Sequence, residues 1–516
     1  WIQSDGRECL NVKSPGVFVQ GMQFMCNGIG DLAAISIADG GELELDGCRI
    51  QSATSVGLTS SNASLTTTGT TITASGGTAL RVKGGKANLT QTTLSDSKLG
   101  ASLSAGAAVE LKSCALERDG AGDAQTGVIF INGPATSVTA TDCQFTGNNG
   151  GVYVTSGGSF AAEKTSFKEN AAGAKYIYGL ILVEKASVVR LNGCAFERNR
   201  AGVAVSEGGT LEADQCAFSD NGLQSRQLIA ESLPISVIGQ HARATVRNSS
   251  FAHSTPYAIG VSNAGTATID NIEVSGTKDT GLAVGDDKTP PAHVEVAHAH
   301  FHNNENGMAV FFGSIAKIDD SEFRENETSG LAAIKNAQVE VHNTRFLMNG
   351  NEGLLVYGQA RAVASGCQFI GNARGAESGY AKRNAGGHAS LTIEDSEVGG
   401  NRVFGLGALS ANELIVRNVT FHGDDKVPIY KEKNAVVKME TPAGAQTEPD
   451  AHESPSPGAS ASATPNELPE ATASPQPSTS PGKSSAPKKS GQRTRQRQRR
   501  PDDEAARILR NIFGPH

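Results

Sequence analysis

The sequence predicts an all-β fold: a right-handed parallel β-helix, a solenoid of about 16–17 coils, followed by a disordered tail. Three observations predict it. An apolar residue recurs every 22 or 23 residues, with a few longer gaps. Apolar spacing around each recurrence is two residues, the period of a strand. An asparagine often returns three residues later.

The recurring anchors are Phe24, Ile50, Ile72, Leu94, Leu116, Phe145, Phe167, Phe196, Phe218, Phe251, Val274, Phe301, Phe323, Phe346, Phe369, Val398 and Phe421. Seven and five residues before an anchor stand apolar pairs, such as Val189 and Leu191, Val339 and Val341, or Leu391 and Ile393. Alternation sends both members of a pair to one face and leaves the residue between them outside. Two residues before the anchor is a small side chain, often a thiol: Cys48, Cys114, Cys143, Cys194, Cys216 and Cys367. After the anchor a second short strand opens on glycine, as in Gly202-Val203-Ala204-Val205. Each coil is thus two or three short strands joined by tight turns.

The asparagines are Asn148, Asn170, Asn199, Asn221, Asn304, Asn326, Asn349, Asn372 and Asn401. Asparagine tolerates the left-handed backbone region and bonds to nearby backbone. Nine recurrences at one phase further predict a ladder of amides bonded coil to coil. A coil this short cannot bury its own apolar face, so coils must stack over a shared core. Parallel stacking at roughly 4.8 Å per coil gives a rod on the order of 80 Å long. The chirality of parallel crossovers makes the winding right-handed.

Strings such as Val339-x-Val341-x4-Phe346-x2-Asn349, followed by Gly353-Leu354-Leu355-Val356, resemble the repeat of the pectin-lyase-like superfamily. The resemblance spans about residues 1–440. It implies polysaccharide as the favoured ligand class and an extracellular or cell-envelope setting. It is specific for fold and not for activity. Polygalacturonase-like members carry Asn-Thr-Asp, Asp-Asp, Gly-His-Gly and Arg-x-Lys elements. Here only Asp319-Asp320 stands at a suitable phase; Asn343-Thr344 runs into Arg345 and Gly387-His388 into Ala389. Inverting hydrolysis by a carboxylate pair therefore has no support.

Net charge is −8, divided into near −10 on residues 1–440 and near +2 on residues 441–516. An acidic rod argues against nucleic acid as its ligand. Six of the eight cysteines share one inward phase and read as a packed column, with a Cys194–Cys216 bond as the alternative. No Cys/His metal spacing is present. No apolar run is long enough to span a membrane. The start at Trp1, without a polar cap, reads as a rod whose N-terminal cap is missing.

Residues 441–487 are rich in Pro, Ser and Ala and lack aromatics, the composition of a disordered linker. Residues 488–516 hold a basic run from Lys488 to Arg500, then a short helix signal with Ile508, Leu509, Ile512 and Phe513 on one face. Two readings stand for this segment: a peptide that docks to an acidic partner or surface, or a solvated tail.

Chemistry on such a rod belongs to outward positions of adjacent coils. Six residues before the anchor stand Glu295, Lys317 and Glu340; four before it, Asp319 and His342; one before it, Glu322 and Arg345. No other part of the rod is expected to place so many ionisable groups on consecutive coils. As catalytic groups they suit β-elimination on a uronic acid, with Lys317 or Arg345 facing the enolate, a carboxylate as base, and calcium as a hard-cation helper. As plain surface they are cross-strand ion pairs. Longer coils carry Tyr176, Tyr178, Arg226, Tyr380, Lys382, Arg383 and His388 in loops expected on a similar side of the rod. Aromatic faces beside polar groups suit sugar binding. The leading expectation is a non-catalytic, glycan-binding or scaffolding β-helix module. The alternatives are a polysaccharide lyase or epimerase, and a scaffold domain of a larger protein.

Overall fold

The computed structural model describes residues 1–27, 32–53, 56–120, 127–170, 179–222, 233–287, 289–379, 388–423 and 425–440. They form 52 strands and about 17 coils, all paired in parallel. One coil illustrates the rest. The pair strand Gln338–His342 leads to the anchor strand Arg345–Leu347 and then to the third strand Glu352–Tyr357. One coil on, Val339 faces Ala362, Phe346 faces Phe369 and Leu354 faces Ala376. Residues about 23 apart thus become neighbours, and register is set by the anchors.

The anchors stack ring on ring. Phe145, Phe167, Phe196, Phe218 and Phe251 lie 4.6–4.8 Å apart between centroids, and Phe301, Phe323, Phe346 and Phe369 lie 4.9–5.2 Å apart. That is the strand spacing, so each ring meets the next within the range that aromatic pairs favour. Val274 interrupts the stack where a coil carries no ring.

The phase two before the anchor is more than packing. Many of the thiols and hydroxyls there accept a hydrogen bond from the backbone N–H of the preceding coil's equivalent residue. Cys48 N donates to Thr70 Oγ1 at 3.3 Å, Cys114 N to Cys143 Sγ at 3.4 Å and Cys216 N to Ser249 Oγ at 3.1 Å. Thiol and hydroxyl are interchangeable in this role, which explains why Cys, Thr and Ser alternate. Six cysteines are free and buried, Cys194 and Cys216 among them. Cys9 and Cys26 form a disulfide that the periodicity did not indicate, since neither occupies the column phase.

The asparagines form a hydrogen-bonded row. Asn148 Nδ2 donates to Asn170 Oδ1 at 2.9 Å and to Leu116 O at 2.9 Å. The same amide-to-amide bond links Asn170 to Asn199, Asn199 to Asn221, and each member from Asn304 to Asn401. The expected left-handed backbone falls one residue earlier, at Arg198 (φ 52°), Glu325 (φ 52°) and Met348 (φ 54°). Asparagine is therefore used here for its amide and not for its backbone tolerance. Between the two runs the row passes Ser254 and Thr277, too short to bridge from coil to coil.

The three faces differ in openness. Pair strands alternate exposed and buried positions, as Gln338–His342 does. Third strands such as Asn306–Phe311 and Glu352–Tyr357 are buried throughout. There Ala309, Phe311, Ala332, Ile334, Leu355 and Tyr357 make a second apolar cluster. Anchor strands such as Arg345–Leu347 are short and also expose outward positions. Ile429–Lys431 and Val436–Glu440 continue the winding at the far end, with Pro428, which lacks a backbone donor, just before a strand.

Candidate functional site: the open face of the pair strands

An open groove of about 710 Å³ crosses five consecutive pair strands, from Ser137–Thr141 to Arg243–Arg247. Its walls come from two outward rows. One row is Thr139, Ala161, Arg190, Glu212 and Thr245; the other includes Glu163, Asn192, Asp214 and Arg247. Strand alternation aims both rows outward, and coil stacking sets successive members side by side. Arg190 Nε bonds Glu212 Oε2 at 2.9 Å, and Asn248 Nδ2 bonds Asp214 Oδ1 at 2.7 Å. Ala161, with its short side chain between Thr139 and Arg190, leaves the floor low.

This groove was legible in principle. At the phase of Glu295 and Lys317 the sequence has Arg190 and Glu212, and at the phase of Asp319 and His342 it has Glu163, Asn192, Asp214, Arg247 and Asp270 on consecutive coils. A second, sparser run of ionisable groups thus lies directly N-terminal to residues 270–345, on the same face.

Five of the six expected catalytic residues also occupy this face. Glu295, Lys317 and Glu340 are stacked in register, and Asp319 faces His342 one coil on. Lys317 Nζ turns along its own strand to Asp319 Oδ2 at 3.2 Å, and His293 lies 3.8 Å from Glu295. Arg345 is elsewhere. It sits on the anchor sheet, paired with Glu322 across one coil. Side chains of Glu295, Lys317 and Arg345 are about half exposed or more, at 60%, 48% and 52%. Among the described residues no three His, Cys, Asp or Glu side chains converge to hold a metal ion.

Histidine–carboxylate pairs link coils at the edge of this face and on the anchor sheet beside it. His298 Nδ1 lies 2.8 Å from Asp270 Oδ1, and His302 Nε2 lies 2.9 Å from Glu273 Oε1. Asp270 holds the His298 imidazole above its ordinary range. On the third face, buried Glu352 pairs with Arg374 at 2.5 Å and accepts from Ser329. Burial, reinforced by Glu352, pushes neighbouring Glu377 up to about 8.

Of the expected loop ligands, Tyr176, Tyr178, Arg226, Tyr380, Lys382 and Arg383 lie outside the described residues, as does the segment 441–516. His388 is exposed, its ring nitrogen 2.5 Å from Ala411 O. The insertions do not share one turn. Those after Glu117, Lys168 and Ser219 precede a third strand, whereas the one after Ser378 follows a third strand and precedes a pair strand.

Comparison with known proteins agrees with the winding. The family described as right handed beta helix region matches residues 92–232 and 234–386. The chain belongs to this right-handed β-helix family. Among curated protein sequences none matches it significantly. Similar solved structures include the periplasmic alginate epimerase AlgG, at 10% identity over 79% of this chain and 77% of that one, TM-score 0.34. The A-module of the Azotobacter vinelandii mannuronan C-5 epimerase AlgE6 is similar at 13% identity over 68% and 90%, TM-score 0.33. PfbA, a surface adhesin of Streptococcus pneumoniae, is similar at 12% over 67% and 85%, TM-score 0.26. What they share with this right-handed β-helix is its winding; each name describes that protein alone. Among the described residues no helix is long and apolar enough to cross a membrane.

Proposed function

We propose that this right-handed β-helix is a non-catalytic module that binds a linear polysaccharide along the open face of its pair strands, in an extracellular or cell-envelope setting. One observation carries the reading: the groove from Thr139 to Arg247, whose polar rows repeat once per coil. A polymer laid along the rod meets equivalent positions at every coil, so weak contacts add without a deep pocket. Hydroxyl, amide and charged groups side by side supply donors and acceptors for sugar hydroxyls. The exposure of Glu295, Lys317 and Arg345 favours binding over catalysis, because an open surface does not exclude water from a reacting group.

A second reading, a lyase or epimerase acting on uronic-acid polymers, rests on Lys317 beside Asp319 with Glu295 and Glu340 on flanking coils. Calcium enters only with that reading. Affinity electrophoresis against neutral, amino-bearing and uronic-acid polymers, with and without calcium, separates the two when combined with absorbance of unsaturated products. The binding reading expects retardation by at least one polymer, weakened at least tenfold in Arg190→Ala/Arg247→Ala, with no product. Product that disappears in Lys317→Ala would replace it with the lyase reading. The basic segment 488–516 remains a candidate for docking an acidic partner, testable by deleting residues 441–516 and repeating the same assays.

A further inference from the structure

The asparagine row does not end on asparagine. At its N-terminal side the position is taken by Asp119, completely buried, and beyond it by Ser97. Ser97 N donates to Asp119 Oδ1 at 2.8 Å, and Asp119 N donates to Asn148 Oδ1 at 2.8 Å, so Asp119 holds the place of a row member in the backbone pattern. Its second oxygen, Oδ2, is buried without a hydrogen-bond donor.

The glycines that open the third strands locate that oxygen. A Cβ added at Gly307, Gly330, Gly353 or Gly375 would meet the Nδ2 of the next coil's asparagine at 3.1–3.2 Å. At Gly100 the atom met is Asp119 Oδ2, at 2.8 Å. Oδ2 therefore occupies the seat of an amide nitrogen. In that seat Asn148 Nδ2 donates to Leu116 O, the anchor carbonyl one coil earlier. The same step from Asp119 leads to Leu94 O, an acceptor. A carboxylate oxygen facing a carbonyl in a buried turn is repelled, whereas a protonated one donates.

We infer that Asp119 is a neutral carboxylic acid in the folded rod, donating from Oδ2 to the Leu94 carbonyl, and that this makes the junction between the Leu94 and Leu116 coils a pH-operated latch. Burial pushes its carboxyl up to about 7, in agreement with the geometry. The charged groups facing it are Asp96, which raises it further, and Arg118, which lowers it; these two are bonded to each other at 2.8 Å on the exposed side of the turn. Lys98 is exposed, half-buried Glu117 is paired with Arg118 at 2.9 Å, and residues 148–152 of the next coil carry no charge.

The sign follows from linkage. A carboxyl whose folded value lies above its unfolded 3.8 contributes stability fully present below that value and lost as pH rises through about 7. Hydrogen exchange of the full chain, followed on peptides spanning residues 94–120 and corrected for intrinsic rates, reads the latch directly. Between pH 5.5 and 8.5 the opening equilibrium of this junction should rise about thirtyfold in the natural protein. In Asp119→Asn, which supplies a permanent donor in the same seat, it should stay flat. An equal pH response in both proteins would overturn the inference. Infrared difference spectra provide a second readout: at pH 5.5 the natural protein should show, beyond the contribution of other raised carboxyls such as Glu377, a carboxylic C=O band that disappears by pH 8.5 and that Asp119→Asn lacks. Absence of that band at pH 5.5 would also overturn it.

Discussion

Replacing Asn349 by alanine isolates what the amide row contributes. The side chain makes four hydrogen bonds: Nδ2 to Asn372 Oδ1 at 2.9 Å and to Phe323 O at 3.0 Å, and Oδ1 from Asn326 N at 3.1 Å and Asn326 Nδ2 at 2.9 Å. Asn349 itself is fully buried, although Met348 beside it is exposed. At about 1 kcal/mol net for each bond, the substitution should cost about 4 kcal/mol, and the orphaned Asn326 and Asn372 groups push the figure upward. A solenoid need not unfold in one step. The assay is therefore denaturant titration by circular dichroism together with hydrogen exchange of residues 345–357, with exposed Glu340→Ala as a control expected within about 0.5 kcal/mol. A cost below about 1 kcal/mol for Asn349→Ala would refute the claim that coil-to-coil amide bonds hold this turn.

Three further outcomes are expected. Phe323→Ala removes a ring stacked at 5.0 and 5.2 Å between Phe301 and Phe346 and should cost about 3–5 kcal/mol, measured by the same titration. Cys143→Ser should be tolerated within about 1 kcal/mol because a hydroxyl can accept from Cys114 N, while Cys143→Ala leaves that N–H unpaired and should cost about 1–3 kcal/mol. The stabilising pull of Asp270 on His298 is present below the ordinary histidine value and is lost as pH rises through the raised folded value; NMR titration of His298 in Asp270→Asn should therefore show a downward shift, and an unchanged titration would remove that pair from the account of the surface.

The fold was legible because one period carries it. Phe323, Phe346 and Phe369 announce their stacking by spacing alone, and the paired apolar residues announce which strand face is inward. The asparagine row was legible for the same reason, though only coordinates show that Met348 and Glu325, not the asparagines, take the left-handed backbone. Single events without a period were not legible. The Cys9–Cys26 disulfide is one, and the role of Asp119 is another, since an aspartate at an asparagine phase reads as ordinary drift until its neighbours are placed. The site was half legible. The phases that hold Glu295 and Lys317 also hold Arg190 and Glu212, but relief, such as the low floor at Ala161, depends on side-chain size across five coils at once. Lys317 and Arg345 stand at different phases of the coil, and the turn between those phases sends them to different sheets.

The most direct test of polysaccharide binding on the open face is a crystal structure of the rod with a bound oligosaccharide drawn from whichever polymer retards it most. Sugar rings lying along the rod between Thr139 and Arg247, uncleaved and contacting Arg190 and Arg247, are the predicted result. Sugar bound on the third-strand face or at the anchor sheet, with the pair-strand groove empty, would contradict it.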